Sequence, residues 1–151
     1  MFASPGSFAL LPSSLLVKVV QVEGSATNTI TELVPINEIT FLIKAEQVGY
    51  LSHFGNFTGE FSYVATGTPV SIVLVGDATL TNTRGEQLFV TATIVELGTD
   101  YPYAVSGTLV VTGGTGRFSA SAGTIAVTGT DEESLVDAFH LKGALVIVGG
   151  S

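Results

Sequence analysis

The chain is 151 residues long, 46% apolar and 12% charged, with five Lys and Arg against 13 Asp and Glu and a net charge of -8. That length suits one domain able to bury a sizeable core, and the shortage of cations argues against a nucleic-acid or anionic-membrane surface, which needs clustered Lys and Arg. Cysteine is absent, which removes disulfides, thiolate chemistry and Cys-based zinc sites.

In chain order, residues 1–14 read as an N-terminal extension and 15–151 as a single antiparallel β-barrel domain. The opening segment has no basic residue before Lys18 and is interrupted by Pro5 and Pro12, so it matches neither a signal peptide nor a membrane span. The compartment stays open: inside the cell if Met1 is the natural start, secreted if a leader has been removed. Alternating and β-branched runs then predict strands over Leu15–Val22, Glu38–Gln47, Asn56–Thr66, Ser71–Thr81, Gln87–Glu96, Tyr103–Thr112, Arg117–Thr128 and Ala138–Val148. The links between them, among them Asn82-Thr-Arg-Gly85, Gly98-Thr-Asp100 and Gly113-Gly-Thr-Gly116, are short and Gly-bearing, as hairpins require. The best helical candidate, Asp131–Val136, is too brief to matter.

About eight strands, several longer than usual, predict a closed barrel in preference to a sandwich. Glycines within the strands permit the coiling a small barrel needs. With so few charges the outer face must be dressed in Thr, Ser and Gly or buried against another copy, which predicts a homo-oligomer, trimer favoured and dimer possible. The last strand is greasy on both sides apart from His140 and Lys142, so something outside should cover it, a neighbouring subunit or the N-terminal segment.

Four segments occur in a suggestive order: Phe54-Gly-Asn-Phe-Thr58, Gly76-Asp-Ala-Thr-Leu-Thr81, Gly85-Glu-Gln-Leu-Phe-Val-Thr91 and Gly107-Thr-Leu-Val-Val-Thr-Gly-Gly-Thr-Gly-Arg-Phe118. Together they resemble the allene oxide cyclase barrel-like proteins and the related plant dirigent proteins, over roughly residues 49–129. The resemblance implies an eight-stranded antiparallel β-barrel, commonly trimeric, with a mostly apolar cavity. It also implies stereochemical control of a reactive small molecule without a cofactor. The polar residues that position substrate in the first strand of the plant cyclases have no match in Leu15–Val22. What matches is scaffold.

The sequence therefore points to a barrel that binds an apolar small molecule and acts as a cofactor-independent cyclase or isomerase, or else to a non-catalytic binding or structural barrel. Glu60 and Asp77 are candidate acids or bases: a carboxylate pointing into an apolar barrel would be desolvated and its pKa raised. The alternative is that each faces solvent among threonines. Tyr103 is a third catalytic candidate, and Tyr50, His53, Phe61, Tyr63, Phe89 and Tyr101 are candidate ligand contacts at the rim or inside. No metal is expected, since His53 and His140 lie far apart with no ligand spacing. The Gly113–Gly116 loop lacks the Lys and helix start of a phosphate cradle. It reads as a hairpin whose Arg117 bonds loop carbonyls or a carboxylate at a barrel end, and Asp131-Glu-Glu133 reads as a solvated turn.

Overall fold

Runs of Val, Ile, Thr and aromatic residues punctuated by Gly- and Asn-bearing turns favour extended backbone that must find pairing partners. In the computed structural model, which describes residues 16–133 and 136–149, they form eight strands. These are β1 (Leu16–Pro35), β2 (Thr40–Leu51), β3 (Gly55–Gly67), β4 (Ser71–Asn82), β5 (Gln87–Leu97), β6 (Tyr103–Gly114), β7 (Ala122–Asp131) and β8 (Val136–Gly149). Each pairs antiparallel with the next, and β1 closes on β8 to give an eight-stranded antiparallel β-barrel. The one helical turn among the described residues is a 3-10 turn at Gly116–Phe118. The N-terminal extension lies outside the described residues, as does part of the short helical candidate, whose ends Asp131 and Val136 belong to β7 and β8.

Two strand boundaries differ most from the sequence expectation. β1 does not stop at Val22 but continues to Pro35, pairing with β8 over Leu16–Thr29 and with β2 over Gly24–Pro35. Gly24 is needed where the strand starts to be paired on both sides, because a Cβ there would overlap the Tyr50 carbonyl. A bulge between Ile30 and Glu32 shifts the parity, so Ile30 and Leu33 both reach the barrel interior. At the other discrepancy, β7 starts at Ala122 instead of Arg117. Gly116 adopts φ +60°, which turns the chain into the 3-10 turn before the strand begins.

One end of the barrel is solid. Leu51, Phe54, Phe57, Leu80, Leu88 and Phe118 are all buried there, and Phe54 meets Phe118 edge to face with ring centroids 5.1 Å apart. Arg117 caps this end. Its Nη2 lies 2.7 Å from Glu86 Oε1, its Nε donates to Glu86 Oε2 at 3.0 Å, and its backbone N–H donates to the same oxygen at 3.1 Å. Asn82, buried below the cap, donates to the Phe54 carbonyl at 3.0 Å and to Glu86 Oε1 at 3.1 Å. Its Oδ1 accepts from the backbone N–H groups of Arg84 and Glu86, both at 3.0 Å.

Outward positions are mainly Thr, Ser and charged residues, but several apolar side chains also face out, Val17, Val19 and Val48 among them, and four form a row. Val34, Leu42, Val64 and Val75 are register partners in turn across β1, β2, β3 and β4, and all four are exposed. Among the described residues no helix is long and apolar enough to cross a membrane.

Candidate ligand cavity

Period-two alternation sends one residue in two of every strand into the barrel. Away from the solid end those inward residues include Ala45 and Ala65, too small to meet across the interior. What remains is a cavity of about 310 Å³ that reaches the end carrying the 36–39, 68–70 and 98–102 loops. This volume is at the lower end of the ~300–1,000 Å³ range of small-molecule sites.

The two sides of the cavity differ chemically. Phe41 and Ile43 on β2, Phe61 and Tyr63 on β3 and Leu74 on β4 make an apolar wall, with the Phe61 and Tyr63 rings stacked 5.6 Å apart. Facing them, interspersed with Ile94, Leu109, Val127, Phe139 and Leu141, is an arc of polar side chains: Glu96 on β5, Asp131 on β7, Asp137 on β8, Asn28 on β1 and Gln47 on β2. Gln47 Nε2 donates to Asn28 Oδ1 at 3.2 Å, both residues being buried. Asp137 is only 6% exposed and its Oδ1 accepts the Glu132 backbone N–H at 3.0 Å. Every fully buried side-chain nitrogen or oxygen among the described residues has a partner.

Crowding acidic groups against an apolar wall disfavours their charged forms. Burial, a hydrogen bond with Asp131 and the charges of Asp131 and Asp137 push Glu96 from 4.5 to about 9. Asp137 rises from 3.8 to about 6, chiefly through burial; the Glu132 N–H opposes the rise and the Asp131 charge adds to it. Burial, with a smaller contribution from Glu96, also raises the Tyr63 phenol above its ordinary range. At neutral pH Glu96 therefore keeps a proton and can donate it, an uncommon state for a carboxyl group open to a cavity. The Tyr101 phenol is raised as well, by burial first and then by Asp131, Tyr103 and the nearby glutamates.

The residues singled out from the sequence divide into three places. Phe61, Tyr63 and Tyr101 line the cavity, and Tyr103 stands beside Tyr101 at its mouth, ring centroids 4.6 Å apart. Glu60, Asp77 and Phe89 point outward on β3, β4 and β5, into a concave stretch of the outer face shared with Lys44. The desolvation that an acid-base role required of Glu60 and Asp77 is therefore missing. The reason is the alternation itself: Phe61 and Ala78 face inward, so their neighbours Glu60 and Asp77 cannot. Tyr50 and His53 are exposed at the solid end, His53 in a turn with φ +67°. The rim imagined from Tyr50–His53 and Tyr101–Tyr103 is in fact two opposite ends of the barrel.

Glu96, Asp131 and Asp137 were not among the sequence candidates. Asp131, placed in a solvated turn by the sequence reading, is instead the last residue of β7 and faces the cavity. The signal was present: Glu96 follows Leu88, Val90, Ala92 and Ile94 at even spacing, which puts it on their inward face.

A comparison with protein-family models finds no match, and none is found among curated proteins. Among solved structures the barrel is similar to that of a pterocarpan synthase dirigent protein. The TM-score is 0.51 at 12% sequence identity, over 89% of this chain and 88% of the other. The likeness is one of fold: the chain has a dirigent-like eight-stranded barrel.

Proposed function

We propose that this barrel binds an apolar small molecule in its cavity and acts on it as a cofactor-independent cyclase or isomerase, with Glu96 as the acid. The observation that carries the reading is the Glu96 carboxyl group, set beside Asp131 and Asp137 and facing a cavity of about 310 Å³ whose far wall is aromatic and aliphatic; its burial and acidic neighbours favour the protonated form. The wall would hold the substrate in a folded conformation close to the reacting one. Glu96 would then deliver its proton to an electron-rich position of the substrate. Its carboxylate would recover a proton from another position of the same molecule, so nothing external is consumed. Tyr101 and Tyr103 border the entrance and would limit water access. The dirigent-like fold fits a ligand-binding barrel and is compatible with this chemistry.

Titration with a neutral environment-sensitive dye such as prodan tests occupancy. Saturable binding should be lost in Ala65→Phe, which fills the cavity from β3; undiminished binding in that variant, with unchanged circular dichroism, would refute the cavity as the site. Carboxyl-carbon NMR tests the acid: an ordinary titration of Glu96 would remove its role. The same reading takes the Val34–Leu42–Val64–Val75 row as the surface buried by further copies of the chain, a trimer favoured. A monomer in solution scattering would refute that.

A further inference from the structure

The acidic side of the cavity has no basic counterpart. Four carboxyl residues line it, Glu96, Asp131, Glu133 and Asp137, and its lining contains no Lys, Arg or His. The other ionisable groups at this mouth, Glu38, Asp100, Glu132, Tyr101 and Tyr103, are also acids. Arg117 is committed to Glu86 at the opposite end, Lys44 points outward, and His140 pairs with Glu23 at 3.3 Å on the outer face. The carboxyl cluster thus meets one backbone N–H, donated by Glu132 to Asp137, and no cationic side chain. Buried acidic charge without a cation is costly, and a neutral apolar ligand would relieve none of that cost.

We propose that the ligand of this cavity carries a protonated amine, seated on Asp131 and Asp137 beside the Tyr101 ring, with its apolar body against Phe61 and Tyr63. The inference rests on the cavity being a binding site and does not need the catalytic step. The ammonium group makes charge-assisted hydrogen bonds to the two carboxylates and meets an aromatic face at the mouth.

Isothermal titration near neutral pH with tryptamine and with tryptophol, its neutral alcohol counterpart, tests this. Tryptamine is expected to bind at least about tenfold tighter. Replacing both acids, Asp131→Asn with Asp137→Asn, should bring its affinity down to that of tryptophol. Equal affinities in the unmodified chain would overturn the amine inference and leave the cavity reading standing. Binding of neither compound would overturn both.

Discussion

Glu96 on β5 and Asp131 on β7 hydrogen-bond to each other across β6, the strand that separates them in the barrel. The register explains how. Glu96 is opposite Val105 and Val105 is opposite Gly129, which lies two residues before Asp131 on the same face of β7. The pair therefore depends on closure of the sheet, because only a strongly curved wall brings side chains of alternate strands together.

This pair sets the alkaline limb of stability. Between about pH 4.5 and about pH 9 the folded chain holds a proton on Glu96 that the unfolded chain has lost, so stability falls as pH rises through that window and is fully present below it. Asp137, raised to about 6, adds to the early part of the decline. Thermal melts should show a fall of ~5 °C or more from about pH 5 to about pH 9. Glu96→Gln should flatten the decline, and a flat wild-type profile would contradict the assignment.

The acid limb belongs to the other end. Arg117 holds Glu86 down to about 2, so its contribution is present above the ordinary value of 4.5 and is lost as pH falls toward 2. Arg117→Ala should cost ~1–2 kcal/mol in urea unfolding at neutral pH. The loss should shrink progressively as pH falls from about 4.5 toward about 2, as Glu86 takes up its proton.

Asn82 ties together two turns that have no other common anchor in its hydrogen-bond set, one through the Phe54 carbonyl and one through Glu86 and Arg84. Asn82→Ala should destabilise by ~2 kcal/mol or more, since it leaves buried partners unsatisfied. Asn82→Asp should recover only the interactions made through Oδ1. Denaturant midpoints of the two variants check the order.

The Asn28–Gln47 bond offers a test of non-additivity. Gln47→Leu alone strands the Asn28 oxygen at a buried position and should cost ~1–3 kcal/mol. Adding Asn28→Leu should cost much less than a second loss of that size, because no orphaned polar group remains. Fully additive losses in a double-mutant cycle would show that the two side chains do not act as a pair.

The architecture was legible because hairpin links and alternation are local signals; the segment order even anticipated a dirigent-like barrel. The continuation of β1 was not legible, since Gly24 and the polar run after it read as an ending, and only pairing with both β2 and β8 makes them strand. The candidate site was half legible. Phe61 and Tyr63 follow from the face shared with Phe57, whereas Glu60 and Asp77 were chosen for being acidic within strands, against the alternation that turns them outward. Glu96 obeys that alternation, but its place at a strand end gave it less weight than Glu60 and Asp77. Its meeting with Asp131 and Asp137 is a property of closure, which no local window contains.

Seven of the eight seams join neighbours in sequence through short links; the eighth joins β1 to β8, with Leu16 opposite Gly149. Its loop-closure entropy spans nearly the whole chain, which makes sealing this seam the slow, non-local event of folding. Linking the two ends and opening the chain elsewhere would turn that seam into a local hairpin and shift the kinetic burden to whichever seam had been cut.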